Sequence, residues 1–304
     1  MPITVEIIAY GALFIIGSAL GSFLNVLSMR YAPERSVFAE KSIGGRSHCM
    51  KCKKKLTWFE LFPLVSFAVL RGKCRSCGAP LSIQYPIIEF LGGLIAVAVA
   101  YYLNSIYSVP DFVFASLAAP WWHYALLGAW ILVFIILLLV LLIDLKHYVV
   151  PNELNVILGV LGIIVVGIMW KYKNELPLFS TSFLKQYSLF LAPTGNLLLS
   201  HVIGAFTAAV FFALLSFASR GQGMGFGDVK LALASGFLLG WPDMALAVVI
   251  AFILGGIFGA YLLISGRLSM KDRVPFAPFF VIGIALVFFF GEAILKGYFT
   301  LFGL

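Results

Sequence analysis

The sequence predicts an all-α polytopic membrane protein, with about eight transmembrane helices and one small cytoplasmic insertion. Three observations predict this class. The chain is 62% hydrophobic and only 11% charged, with a mean hydropathy of +1.04. Polar groups cannot cover so much apolar surface in water. Apolar runs of spanning length recur along the 304 residues, separated by short polar stretches. The positive charge, finally, is concentrated in one place. Arg30, Arg35, Lys41, Arg46, Lys51, Lys53, Lys54, Lys55, Arg71, Lys73 and Arg75 face only Glu34, Glu40 and Glu60, which accounts for the whole net charge of +8. A Lys/Arg-rich loop beside a spanning helix marks the cytoplasmic side. Its charges can also attract anionic lipid headgroups of the bilayer. The excess therefore belongs to a membrane-flanking loop and implies no nucleic-acid partner.

The elements follow in order. Residues 7–27 form the first span; no basic region precedes it and no small-residue cleavage site follows, so it reads as a helix and not a signal peptide. With no Lys or Arg before it and the basic loop after it, the N-terminus is placed outside. The second span, 86–103, carries Glu89 near its cytoplasmic start. Residues 104–120 lack Lys and Arg, as an external loop should, and Trp121 and Trp122 mark the interface where the third span begins. That span returns to the cytoplasm at Asp144. Tyr148 to Asn152 is a break, because proline disfavours helix at the residue before it. The fourth span runs over 154–170, and the loop that follows holds Lys171, Lys173 and Lys185, the weakest point of an external assignment. The fifth span, 197–217, leads to Arg220 and the stretch Gly221-Gln222-Gly223-Met224-Gly225-Phe226-Gly227-Asp228-Val229-Lys230. Its alternate glycines let the backbone bend where side chains would clash. Residues 229–241 are short for a crossing of about 20 residues. A further span over 244–264, a basic loop with Arg267, Lys271, Asp272 and Arg273, and a last span opened by Val274-Pro275-Phe276-Ala277-Pro278-Phe279 complete eight spans, with both termini outside.

All four cysteines lie in the basic loop, as Cys49-Met50-Lys51-Cys52 and Cys74-Arg75-Ser76-Cys77. Two C-x2-C knuckles present four thiolates at the spacing tetrahedral zinc uses. Two disulfides are the competing reading and need an oxidising compartment. A cytoplasmic loop keeps its thiols reduced, so zinc is expected. A complete set of four protein ligands leaves no open position, which makes the metal structural. A loop this small has too little core to fold alone, and the metal supplies the missing free energy. His48 adjoins Cys49 but is not needed in the set.

Asp144 closes one apolar run and Asp228 opens another. Ionised carboxylates are costly at such places, which makes each a functional candidate. On the topology above both lie at cytoplasmic helix ends. If they converge they would share a proton, one taking a proton from water while the other polarises a peptide carbonyl. That is aspartic-protease chemistry. A proton or ion relay uses the same acids, and so would simple pairing of Asp144 with Lys146 or Asp228 with Lys230. Position alone leaves the three open.

Several spaced motifs resemble the type IV prepilin peptidases. Gly225-Phe226-Gly227-Asp228-Val229-Lys230-Leu231 resembles that family's GxGD signature. Asp144 followed by Val150-Pro151-Asn152 is similar to its first aspartate with a downstream hydrophobic-Pro-Asn. Gly21-Ser22-Phe23-Leu24-Asn25-Val26, the cysteine loop, Tyr85-Pro86 with Glu89, and the 274–279 motif are similar to its other landmarks. Two departures stand out: Glu60-Leu61-Phe62-Pro63 replaces a usual Glu-Asn-hydrophobic-Pro, and Ala277 replaces a common glycine.

The resemblance implies a bifunctional enzyme of the inner membrane. It would remove the basic leader from prepilins or pseudopilins at the cytoplasmic face, after a glycine and usually before phenylalanine. It would then methylate the new amino terminus from S-adenosylmethionine. Asp144 and Asp228 would be the catalytic pair. Gly225, Gly227 and Lys230 would shape the approach of substrate. Cys49, Cys52, Cys74 and Cys77 would hold zinc. Glu60, Arg71 and Glu89 are the candidates for the methyl donor. Residues 1–29 would be a first helix, 30–85 the zinc-binding, methylation-associated domain and 86–304 the peptidase core. The reading from another class is a proton-coupled transporter with a zinc-stabilised cytoplasmic domain.

Overall fold

The computed structural model describes residues 2–191, 195–219, 224–267, 269 and 274–303. Arg220, Gly221, Gln222 and Gly223 of the glycine stretch, and Lys271, Asp272 and Arg273 of the last basic loop, lie outside them. Eight long helices occur in the order expected: α1 (Pro2–Arg30), α2 (Gln84–Ile106), α3 (Trp121–His147), α4 (Asn152–Lys171), α5 (Leu197–Ala218), α6 (Phe226–Leu239), α7 (Asp243–Ile264) and α8 (Ala277–Leu301). Among the described residues there is no strand, only the isolated bridges His48–Lys55 and Lys73–Pro80. Seven of the helices are long and apolar enough to cross a membrane. The exception is α6, whose 14 residues reach about 21 Å against a hydrocarbon core of about 30 Å. It stops at Gly240, which takes φ +79° and returns its N–H to the Gly236 carbonyl at 2.9 Å.

The chain divides into two compact units, Met1–Ile135 and Ile136–Leu304. In the first, α1 and α2 touch backbone to backbone. A Cβ on Gly17 would lie 2.3 Å from the Gly92 carbonyl oxygen, and one on Gly21 would lie 2.5 Å from that of Ile88. Small residues four apart allow such an approach between membrane helices, where dispersion replaces the hydrophobic effect as the cohesive force. At the opposite end of these helices a polar chain, buried at Asn104 and His123, joins α1, α2, α3 and the short helix Asp111–Ala115. His123 Nε2 meets Asn104 Oδ1 at 2.8 Å, Asn104 Nδ2 donates to Tyr10 Oη at 3.1 Å, and Tyr10 Oη donates to Asp111 Oδ1 at 2.6 Å. The cysteine loop connects α1 to α2.

The second unit packs α4 and α5 against α6, and α7 against α8. A Cβ on Gly204 of α5 would lie 2.6 Å from the Gly240 carbonyl carbon, and one on Gly236 of α6 would lie 2.6 Å from the Gly204 oxygen. Phe212, Phe252, Phe276 and Phe280 stack about one another, with ring centroids 5.1–6.2 Å apart. The loop between α4 and α5 is tied down at the start of α7. Buried Asp243 accepts the Phe183 N–H at 2.7 Å and the Ser182 hydroxyl at 2.8 Å. Lys185 of the same loop pairs with Glu292 of α8 at 2.8 Å.

Candidate active site

Asp144 occupies the last turn of α3 and is buried. The helix ends just beyond it. Tyr148 donates its N–H to the Asp144 carbonyl at 2.9 Å and takes φ +56°. Val149 and Val150 follow as non-helical chain, and Pro151, with φ −64° and ψ 137°, caps α4. Asp228 is the third residue of α6, half-buried, with its own N–H on the Gly225 carbonyl at 3.2 Å. Remote in sequence, both lie in the second unit, where the turn after Asp144 packs against the start of α6 at Val150 and Gly227.

Both carboxyls face a helix N-terminus, where unsatisfied N–H groups and the aligned peptide dipoles favour negative charge. Asp228 does so in the first turn of its own helix. Asp144 does so across space: its Oδ2 accepts the N–H of Ala277, the first residue of α8, at 3.2 Å. The 274–279 motif thus delivers a backbone donor to the first aspartate. Residue-type reasoning missed this partner, since a main-chain N–H leaves no mark on the sequence beyond the proline-flanked helix start.

Gly227 sets the approach of the two segments. A Cβ there would fall 3.3 Å from both the Cβ and the carbonyl oxygen of Val150. A side chain at this position would push the turn after Asp144 away from Asp228. Gly225 differs, because a Cβ there would meet only the Asp228 carboxylate and the Gly227 nitrogen, both at an ordinary 3.9 Å. Lys230 faces away from Asp228, as residues two apart on a helix do. Its Nζ donates to Asn152 Oδ1 at 2.7 Å and lies 5.6 Å from the centroid of the Phe226 ring. It joins the start of α6 to the start of α4.

In the first unit the four sulfurs of Cys49, Cys52, Cys74 and Cys77 lie within 4.8 Å of one another. All four cysteines are free thiols, and Cys49 Sγ and Cys77 Sγ are 3.9 Å apart. Zn–S bonds of about 2.3 Å in a tetrahedron require sulfurs about 3.8 Å apart, so the set fits such an ion. The two knuckles share one backbone design. Lys53 and Gly78, each four residues past the first cysteine, donate to the Cys49 and Cys74 carbonyls at 2.9 Å and take φ +57° and +68°. Cys49 and Cys74 donate in turn to Lys54 and Ala79. The backbone N–H groups of Cys52 and Lys51 hold the Cys49 thiol well below the usual thiol range, at about 6, which favours the thiolate a metal needs.

The remaining candidates lie apart. Glu60 closes a capping box, accepting the Thr57 N–H at 2.8 Å and the Thr57 hydroxyl at 2.5 Å. These bonds hold its carboxyl below the ordinary range. Buried Glu89 accepts the Ser22 hydroxyl on Oε1 and the Leu64 N–H on Oε2, both at 2.7 Å. Arg71 is exposed, with φ +50°.

Comparison with known proteins agrees with this division. A model of the bacterial peptidase A24 N-terminal domain matches residues 15–103, which contain the four cysteines, and a model of the type IV leader peptidase family matches residues 131–260, which contain both aspartates. A prepilin leader peptidase/N-methyltransferase of Bacillus subtilis (strain 168) is 29% identical over 287 residues, 94% of this chain and 96% of the relative. Proteins of the same name from Aeromonas hydrophila and Legionella pneumophila are 27% identical over 314 residues and 29% over 254, covering 96% and 83% of this chain and 94% and 75% of their own. No solved structure matches the chain.

Proposed function

The chain belongs to the type IV leader peptidase family, and on that premise we propose that it removes the leader from prepilins or pseudopilins and methylates the amino terminus so exposed. It is a multi-pass membrane enzyme. The transporter reading finds no support, because the matched family and relatives are peptidases.

Asp144 and Asp228 are the proposed catalytic pair, and the observation that supports this reading is the close packing of Gly227 on Val150, which sets the chain just before Asp228 against the turn just after Asp144. One carboxylate takes a proton from a water held between them as that water adds to the scissile carbonyl. The protonated partner donates to the carbonyl oxygen. Collapse then breaks the C–N bond, with a proton passed to the leaving nitrogen. The site would sit at the cytoplasmic edge of the bilayer. A prepilin, a basic leader followed by an apolar helix, would lie beside it with the helix in lipid. Gly225, which carries no side chain in front of Asp228, would let extended substrate backbone come close.

S-adenosylmethionine is the proposed methyl donor. Arg71 is exposed and available to it, whereas Glu60 and Glu89 would first have to release their present hydrogen bonds. Zinc on the four cysteines would brace the loop between α1 and α2 without entering either reaction. The test is incubation of the membrane-reconstituted protein with a prepilin peptide and methyl-labelled S-adenosylmethionine. The expected result is a shortened product with label on its new amino terminus. A cleaved but unlabelled product would remove the methylation half, and an uncleaved peptide the whole.

A further inference from the structure

We propose that residues 58–69, within the cysteine loop, form an interfacial segment embedded in the lipid leaflet where α1 and α2 end, held there over anionic headgroups by the basic rim of the loop. The argument begins with depth. Glu89 Oε2 binds the N–H of Leu64, and Glu89 Oε1 binds Ser22 of α1. At 1.5 Å per residue, Glu89 lies about 8 Å inside the Gln84 end of α2, and Ser22 about 12 Å inside the Arg30 end of α1. With 23 residues, α2 is only about 35 Å long against a hydrocarbon core of about 30 Å. Leu64 is therefore fastened at or below the hydrocarbon boundary, not out in the aqueous phase. Its backbone is bent into place with φ +61°, a conformation that a leucine keeps only when its surroundings impose it.

Exposure completes the case. At that level the side chains of Trp58, Phe59, Leu61, Phe62, Val65 and Val69 point outward, Trp58 and Val69 being 78% and 73% exposed. A cluster of this kind in water would be an uncovered apolar patch. In the interface it is an anchor, with tryptophan at the headgroup level. The chemistry around it matches. Lys51, Lys53, Lys54, Lys55, Lys73 and Arg75 are all exposed. The Arg75 guanidinium lies 4.9 Å from the centroid of the Phe59 ring, so charge and apolar surface adjoin. Glu60, the only acid between Thr57 and Ile83, is folded back into its capping box. A positively charged rim beside an apolar wedge fits an anionic leaflet.

The experiment uses the full-length protein in nanodiscs of phosphatidylglycerol mixed with phosphatidylcholine. A benzophenone amino acid replaces Trp58, Phe62 or Val69 in separate variants, each checked for zinc content, and is irradiated. Lipid adducts at all three positions are expected, enriched in phosphatidylglycerol, with that enrichment lost in a background of Lys53→Gln, Lys54→Gln and Lys55→Gln. Absence of lipid adducts at every position would overturn the proposal. So would adducts formed only with an added prepilin peptide, which would make the patch a substrate surface. Equal yields from the two lipids would refute the role given to the basic rim.

Discussion

Asp144 Oδ2 accepts the main-chain N–H of Ala277 at 3.2 Å, so the first aspartate caps a helix that begins 133 residues later. The bond orients one carboxyl with a main-chain donor that only proline at position 277 would remove. Ala277 itself is fully buried. Ala277→Gly keeps the donor and leaves the packing almost unchanged, so peptide cleavage near the wild-type rate is expected. Ala277→Leu overfills the site at a cost of about 1–3 kcal/mol and moves the donor. It should lower both the melting temperature and the cleavage rate, as thermal scans and peptide hydrolysis would show.

The glycines flanking Phe226 should respond differently. Gly227→Leu places atoms where Val150 already is, displacing Asp228 from Asp144. A misplacement of about 1 Å can cost roughly a hundredfold in rate, so cleavage should fall far more than stability. Gly225→Ala meets nothing closer than 3.9 Å and should leave the stability within about 0.5 kcal/mol of wild type. Equal losses in the two variants would contradict this division of roles.

Much of this was legible in the sequence, and the rest was hidden for a physical reason. Hydropathy located eight helices, and their order is the one observed. The brevity of α6 was visible too, in the few residues between Asp228 and Trp241. The cysteine spacing implied one cluster, and the sulfurs do converge. What sequence could not supply were pairings across long separations that use groups common to every residue. The Ala277 N–H is one. The Lys230–Asn152 bond joins two side chains, and it was hidden because two polar residues near helix starts carry no signal that they meet. Glu60 and Glu89 show the reverse: acids that attract attention by type spend their oxygens on local backbone and a neighbouring helix. An acidic residue in an apolar context advertises itself whether it serves chemistry or architecture.

The zinc knuckles give a pH prediction with a definite sign. Backbone donors lower the Cys49 thiol from about 9 to about 6. Its contribution is complete above the ordinary thiol value and is lost as pH falls through about 6. Cys77, beside it, is pushed the other way, up to about 11, so protons and zinc compete for the cluster: metal retention should hold at neutral pH and weaken as pH falls, read as zinc released to a chromogenic chelator. Cys49→Ser should lose the metal at all pH values. Retention by that variant would remove the thiolate from the ligand set.

The paired turns of the knuckles invite a stabilising change. Lys53 takes the same left-handed conformation that Gly78 takes without strain, which costs a non-glycine residue about 1 kcal/mol. Lys53→Gly should slow zinc extraction by a chelator, and Gly78→Val should speed it. The opposite order would show that the two turns are not equivalent.

The central claim is that two carboxylic acids of one unit, at the end of α3 and the start of α6, act as a single hydrolytic centre. The most direct measurement is cleavage of a prepilin peptide in detergent by Asp144→Asn and Asp228→Asn, with helix content and zinc content confirmed unchanged. Each variant should lose at least roughly 10²–10⁴-fold in rate, the range general acid–base groups supply. Cleavage at the wild-type rate by either one would contradict the account.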